Sequence, residues 1–236
     1  MNTSDTPTPA VTLERRDGVA VVNIDDGRAN ALSHAVVDQL DAALDGADGA
    51  DALAIVGRPG KFCAGFDLSV VQQGPAAAAE LMDRGARTAL RIFEWPRPTV
   101  LGVTGHALAM GAVLLCCADW RIGTDGPYKI GLNEVAIGLA MPEFASELAR
   151  TRLSTRAFHE AVTLARIYSP GEALTMGYLD ELAGADAVGD AAVAKAAELA
   201  DYLDARAFAT TRRALRSPLA EHLRQGLGDA LRGVSG

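Results

Sequence analysis

The sequence predicts an α/β fold with a helical C-terminal section. Short strand-like runs alternate with helical patterns over the first two thirds of the chain, whereas the remainder follows helical periodicity almost throughout. The chain has 236 residues, of which 49% are hydrophobic and 22% charged, so it can bury a sizeable core and is not wholly disordered. No repeat of fixed period is visible. These observations indicate one large domain, or a domain with a small appendage.

The elements begin with a predicted β-hairpin. Residues 11–16 and 18–24 are strand-like, and the Asp17-Gly18 dipeptide between them is typical of tight hairpin turns. Ser33 can cap a helix that runs to about residue 44, because the apolar residues of this segment fall on one helical face. A buried strand over 52–56 and a loop over 57–65 follow.

The middle of the chain repeats the order of strand, loop and helix. A helix over about 76–95 ends before Pro96 and Pro98, since proline cannot continue a helix without losing a hydrogen bond. A strand over 99–103 leads through a loop at Gly105 into an apolar helix over about 109–118. Two short strands, over 119–122 and 129–132, complete this part.

From residue 143 onwards the pattern is mostly helical. A last strand is predicted over 178–182, and Pro218 begins a separate final helix. The predicted helices cover 143–153, 155–164, 170–176, 191–203, 205–216 and 218–231.

Charge and composition exclude several classes of function. The net charge is −8, no run of basic residues occurs, and aromatic residues make up only 5% of the chain, so a nucleic-acid partner is not expected. The three cysteines are too few for a disulfide framework and are typical of a reducing compartment. The N-terminus lacks the features of a signal peptide, and no apolar stretch is long enough to span a membrane. A cytoplasmic protein is therefore expected.

Motifs for several common chemistries are also absent from the sequence. There is no phosphate-binding GxxxxGK[ST] loop, no GxSxG nucleophile turn and no HExxH zinc motif. The four histidines are scattered, and the adjacent pair Cys116 and Cys117 has the wrong spacing for a zinc site. Neither a metal nor a cofactor is expected.

Two glycine-containing loops, over 60–68 and 105–112, each follow a predicted strand. Small residues allow close backbone approach, and a helix N-terminus presents unpaired N–H groups at the positive end of the helix dipole. Two such loops that face each other can hold a developing oxyanion between two N–H groups. Both segments can equally be ordinary tight turns between strand and helix, and spacing alone favours that interpretation.

The first loop carries Phe62-x-Ala64-Gly65-x-Asp67-Leu68, with Asn30-Ala31-Leu32 upstream and Gly105-x-Ala107 downstream. This arrangement resembles the crotonase (enoyl-CoA hydratase/isomerase) superfamily over about residues 10–185. The resemblance implies a spiral of repeated ββα units that binds an acyl-CoA thioester as its substrate. It also implies an acyl-CoA-binding core over 10–185 and a helical lid and oligomerisation region over 186–236. Residues 1–9 are rich in threonine, proline, serine and asparagine and are expected from this composition to be disordered. The expected assembly is a homotrimer or a dimer of trimers.

The resemblance assigns an oxyanion hole to two backbone N–H groups. These belong to Phe66 and to Met110, or to Gly111 if the register shifts by one residue. Asp67 is expected to cap the following turn. The residues expected to contact the substrate or its CoA moiety are Arg28, Ala29, Ala64, Gly65, Phe66, Asp67, Leu68, Met110 and Val113.

Carboxylates distinguish the reactions within this superfamily. A hydratase needs two glutamates, and the position of the first is occupied here by Val113, which can neither donate nor accept a proton. The second corresponds to Glu134 in Ile130-Gly131-Leu132-Asn133-Glu134, a string similar to that of Δ3,Δ2-enoyl-CoA isomerases. The resemblance therefore implies an isomerase with Glu134 as its single acid/base.

Other reactions remain open at this point. Glu143 can serve as a second carboxylate, as in dienoyl-CoA isomerases, although a glutamate that complements a helix dipole is the commoner explanation. Hydratase activity is the nearest alternative, and a non-catalytic acyl-CoA-binding protein is the alternative of another class.

Overall fold

The structure, a computed structural model, describes residues 8–234 of the chain and the side chains as far as residue 227. Most of the segment predicted to be disordered, residues 1–7, lies outside the described residues. The strands are β1 (Val11–Arg16), β2 (Val19–Ile24), β3 (Ala52–Gly57), β4 (Gly60–Cys63), β5 (Thr99–Val103), β6 (Gly105–Leu108), β7 (Trp120–Thr124), β8 (Ile130–Gly131) and β9 (Glu181–Ala183). The helices are α1 (His34–Gly46), α2 (Leu68–Val71), α3 (Pro75–Phe93), α4 (Met110–Cys117), α5 (Glu143–Arg150), α6 (Thr155–Val162), α7 (Pro170–Met176), α8 (Val188–Tyr202) and α9 (Ala205–Val234).

A six-stranded sheet in the order β1-β2-β3-β5-β7-β9 forms the scaffold. The predicted hairpin of β1 and β2 is confirmed, and Asp17 and Gly18 both have positive φ, as the tight turn between antiparallel strands requires. The other neighbours are parallel. One face of the sheet packs on the main core and the opposite face is covered by α8. Because both faces are buried, β3 consists almost entirely of apolar residues.

A second, three-stranded parallel sheet in the order β4-β6-β8 lies beside the first. The chain enters the two sheets in alternation: β3, β5 and β7 each add a strand to the large sheet, and β4, β6 and β8 then add one to the small sheet before the next helices. Each such ββα unit is one turn of a spiral. The predicted fold class, an α/β spiral with a helical C-terminal section, is confirmed.

The predicted loops over 57–65 and at Gly105 are wrong in part, because each contains a strand of the small sheet. These strands, β4 and β6, have only four residues each and carry a glycine and a charged or polar residue, Lys61 and His106. A strand this short gives no clear alternation of apolar and polar residues. The short helix α2 was likewise not predicted.

The predicted break at Pro218 is also wrong, because α9 continues through it over 30 residues. Contacts hold the helix on both sides of the proline. Arg216 before it binds Asp119 at 3.0 Å, and Leu223 after it is buried in the core. These tertiary contacts outweigh the one helical hydrogen bond that proline cannot make. None of the helices in residues 8–234 has the length and apolar character needed to cross a membrane.

Candidate active site

The three strands of the small sheet run parallel, so their carboxyl ends and the segments that follow meet at one edge. A cavity of about 340 Å³ opens at this edge. Its lining is apolar apart from two neighbouring side chains, Asn133 and Glu134. The lining residues are Ala64, Phe66, Leu68, Val71, Ala78, Met82, Ala109, Met110, Val113, Asn133, Glu134, Ile137, Leu139, Ala140, Pro142, Phe144 and Ala145.

The segment after β4 is fixed by the buried side chain of Asn30. Its Nδ2 donates hydrogen bonds to Ile24 O at 2.7 Å and to Phe62 O at 3.2 Å. Asn30 itself has a φ of 53°, in the left-handed region that asparagine tolerates better than most residues. This polar contact joins the end of β2 to the end of β4 and so sets the path of the loop that follows β4.

The N–H group of Phe66 is directed away from its backbone neighbour, Leu32. Leu32 donates to Gly65 O at 2.8 Å and accepts from Asp67 N at 3.0 Å, in a parallel bridge with Phe66. In such a bridge the N–H of the central residue points to the opposite side, which here is the side of the segment after β6. The Phe66 N–H has no acceptor among the described residues.

The segments after β4 and β6 touch at Gly65, where only glycine can be accommodated. A Cβ atom on Gly65 would lie 2.8 Å from Ala109 Cβ and 3.5 Å from Met110 N, and its φ of 97° also disfavours other residues. Gly111, the residue after Met110, is as tightly packed as Gly65, since a Cβ atom there would lie 2.2 Å from Cys63 O. These approaches bring Phe66 next to the start of α4.

Met110 is the first residue of α4, and its N–H lies at the positive end of the helix dipole without an acceptor in the described part of the chain. Ala109 before it is held in an unusual conformation, with φ 50° and ψ −123°, and donates to Gly131 O at 3.0 Å. Met110 lines the cavity and Gly111 does not. Val113, one helical turn later, lines it as well.

Glu134 follows β8 and supplies the only carboxylate among the lining residues. Its Oε2 atom is buried and has no hydrogen-bond partner in the described part of the chain. Burial disfavours the charged form, so the pKa of Glu134 is raised above its ordinary value. The arrangement places a carboxylate with one unpartnered, buried oxygen in an apolar cavity. Phe66 and Met110, whose N–H groups have no acceptor among the described residues, line the same cavity.

Several of the predicted contact residues lie outside the cavity. Asp67 caps α2 by accepting from Ser69 N at 2.8 Å, as the sequence predicts. Arg28 is exposed, and neither it nor Ala29 lines the cavity. The carbonyl of Ala29 accepts from the N–H of Ala64, a lining residue, at 3.2 Å, so the Arg28–Ala29 loop adjoins the cavity from outside.

Glu143 is not brought into the cavity with Glu134. It is the first residue of α5, its side chain is exposed, and its Oε1 lies 3.1 Å from His222 Nε2 on α9. A carboxylate in the first turn of a helix complements the helix dipole. The geometry of this chain therefore gives no support to Glu143 as a second catalytic carboxylate.

Two residues around the cavity were missed by the sequence reasoning. The Oδ1 atom of Asn133 is buried at the cavity without a hydrogen-bond partner, although Asn133 stands in the same string as Glu134. Gly85 lies inside the long helix α3, and a Cβ atom there would lie 2.4 Å from Cε1 of the Phe66 ring. The position of Gly85 inside a predicted helix could have indicated a close contact, because glycine destabilises a helix and usually occurs there only where packing requires it.

Among the described residues, no group of three or more histidine, cysteine, aspartate or glutamate side chains is arranged so that it could hold a metal ion.

Comparison with known proteins gives several similar chains. The family model described as enoyl-CoA hydratase/isomerase matches residues 14–230. A probable enoyl-CoA hydratase, echA17 of Mycobacterium avium (strain 104), is 34% identical over 90% of this chain and 85% of its own. The mitochondrial enoyl-CoA delta isomerase 1 of Mus musculus is 30% identical over 75% of this chain and 64% of its own. The apo structure of an Mtb enoyl-CoA isomerase superposes with a TM-score of 0.89 and 36% identity, covering 95% of this chain and 98% of that one.

Proposed function

The chain belongs to the enoyl-CoA hydratase/isomerase family, and we propose that within this family it is an enoyl-CoA isomerase. The reaction moves the double bond of a 3-enoyl thioester into conjugation with the thioester carbonyl. The observation that carries this proposal is the single carboxylate, Glu134, in a cavity whose lining is otherwise apolar apart from Asn133. One carboxylate suffices for an isomerisation that removes a proton and returns it to the same substrate.

In the proposed mechanism, Glu134 Oε2 accepts a proton from C2 of the substrate. The electron pair of the broken C–H bond forms a dienolate, whose negative charge develops on the thioester oxygen. The N–H groups of Phe66 and Met110 donate hydrogen bonds to that oxygen, and each such donor contributes on the order of a hundredfold in rate. Glu134 then returns the proton to C4, which leaves the double bond between C2 and C3.

The surroundings of Glu134 support its role as the base. Burial of the Glu134 carboxylate in an apolar cavity raises its pKa, despite backbone N–H groups that act in the opposite direction, and makes it a stronger base than an exposed glutamate. Val113 lines the cavity, and by the family resemblance it stands where a hydratase has its second carboxylate. Apolar walls also keep water away from the dienolate, which an isomerase requires.

The test is the conversion of a 3-enoyl-CoA by the purified protein and by Glu134→Gln. We expect the protein to form the conjugated 2-enoyl thioester and the variant to lose activity by a factor of about a thousand or more, because a neutral amide cannot accept the proton. Glu143→Gln is the matched control and should keep the activity, since Glu143 lies outside the cavity. Full activity of Glu134→Gln would refute the assignment of the base.

Hydration of a 2-enoyl thioester is the second candidate, and one observation favours it. The Oδ1 of Asn133 lies buried at the same cavity as Glu134 Oε2, and each is an unpartnered acceptor to which a water molecule can donate. In a parallel assay with a 2-enoyl-CoA, formation of the 3-hydroxyacyl thioester would favour this reaction. Its loss in Asn133→Ala, with isomerisation retained, would assign the water to Asn133.

A further inference from the structure

A second, smaller cavity of about 200 Å³ lies between α3, α5 and α9. We call it the distal pocket, and it is lined by Met82, Pro142, Glu143, Phe144, Leu223, Gly226 and Leu227. Three of these residues, Met82, Pro142 and Phe144, also line the active-site cavity. The two cavities are therefore neighbours that share one partition.

The partition has one side chain that can move easily. Pro142 is a rigid ring, and Phe144 is buried in the core. Met82 is only partly buried, and methionine adapts its shape through three rotatable bonds. Of the three residues that line both cavities, Met82 is therefore the one whose side chain is best able to move aside.

We propose that the distal pocket binds the far methylene groups of a long, unbranched acyl chain that passes Met82. This inference rests on the proposed function, because it takes the substrate to be an acyl-CoA thioester. The lining is apolar except for Glu143, and the Glu143 carboxylate is exposed and pairs with His222 at the outer end. The apolar part suits methylene groups, and each one buried improves affinity about fourfold.

Gly226 allows the distal pocket to be filled without disturbing α9. A Cβ atom at Gly226 would lie 3.3 Å from Glu143 Oε2, a tight contact that the exposed end of the Glu143 side chain can relieve by moving outward. A larger side chain at this position therefore extends into the pocket. Both alanine and leucine are better helix formers than glycine. Gly226→Leu therefore fills the pocket, and Gly226→Ala is the control that changes helix propensity but leaves most of the space.

The experiment measures the affinity of saturated butanoyl-, octanoyl-, dodecanoyl- and hexadecanoyl-CoA by calorimetry. In the unmodified chain, we expect affinity to increase through the long members of the series. Gly226→Leu should weaken the longest members roughly tenfold or more and leave butanoyl-CoA unchanged, whereas Gly226→Ala should resemble the unmodified chain. Met82→Ala should strengthen the long members, because it opens the partition. Thermal unfolding of each variant serves as the check on folding.

Two results would overturn the inference in different ways. An identical chain-length profile in the Gly226→Leu variant, with binding retained, would refute the distal pocket alone. Failure of the unmodified chain to bind any of the thioesters would refute both this inference and the proposed substrate class. Because saturated thioesters are not turned over, a failure of the isomerase assay alone would leave this inference standing.

Discussion

At the scale of single residues, Glu134 differs from an exposed glutamate because its carboxylate is desolvated. The base must be ionised to accept a proton, so kcat/KM for isomerisation should fall as the pH drops through the pKa of Glu134. Since burial raises that pKa, we expect the fall at a higher pH than is usual for glutamate. A pH–rate profile of the purified protein tests this, with thermal unfolding at each pH to show that the fold persists. Activity that stays constant down to the pH at which exposed glutamates protonate would contradict it.

Gly85 provides a second prediction at this scale. An alanine Cβ at this position would lie 2.4 Å from the Phe66 ring, so Gly85→Ala should destabilise the fold by about 1–3 kcal/mol through overpacking. Gly171→Ala is the matched control, since nothing lies within 4 Å of its Cβ position on α7, and it should be neutral or stabilising. Urea unfolding measures both. Adding Phe66→Leu to Gly85→Ala should restore stability, and a loss in the control as large as in Gly85→Ala would contradict the packing argument.

At the scale of elements, the C-terminal helix α9 is docked where α3 and α4 end. Arg216 donates to Phe93 O at 2.7 Å and to Cys117 O at 2.9 Å, the last residues of those two helices, whose terminal carbonyls have no helical partner. Arg212 and Arg216 both pair with Asp119. Burial lowers the pKa of Arg212 to about 10, which still leaves it charged at neutral pH.

Asp119 is therefore the one carboxylate that both of these arginines share. Asp119→Asn should destabilise the protein by about 3–5 kcal/mol, because it leaves the buried Arg212 and the partly buried Arg216 without this counter-charge. Asp190→Asn breaks an exposed pair with Arg16 and should cost about 0–1 kcal/mol. Chemical denaturation of both variants tests the difference. Equal effects would mean that the cluster at Asp119 does not stabilise α9.

Elements that local residues determine could be predicted from the sequence, whereas elements that depend on distant contacts could not. The hairpin, α1 and the long helix α3 were predictable because turn residues, a serine cap and a proline stop act locally. The strands β4 and β6 were not, since what makes them strands is their pairing with each other across 45 residues of chain. In the site, Glu134 and Phe66 could be proposed from a motif. Gly85 could not, because its significance depends on a ring that only the tertiary fold brings to it.

At the scale of the whole molecule, the large sheet forms the scaffold and the small sheet carries the candidate site. The assembly into a homotrimer or a dimer of trimers remains a prediction of the family resemblance. Sedimentation equilibrium should give a mass of three or six chains. A monomer at all concentrations would contradict this prediction.

The conformation of Ala109 determines whether the free energy of orienting the Met110 amide is supplied during folding or during each catalytic cycle. An alanine with positive φ and a ψ of −123° stores strain of about 1–3 kcal/mol, and it lies immediately before the amide of Met110. Under the proposed mechanism, folding thus orients a hydrogen-bond donor before any substrate arrives. The strain lowers the stability of the folded protein, and it is already present before the substrate binds. A relaxed loop would instead have to be ordered in every catalytic cycle, so the same free energy would add to the activation barrier of each turnover.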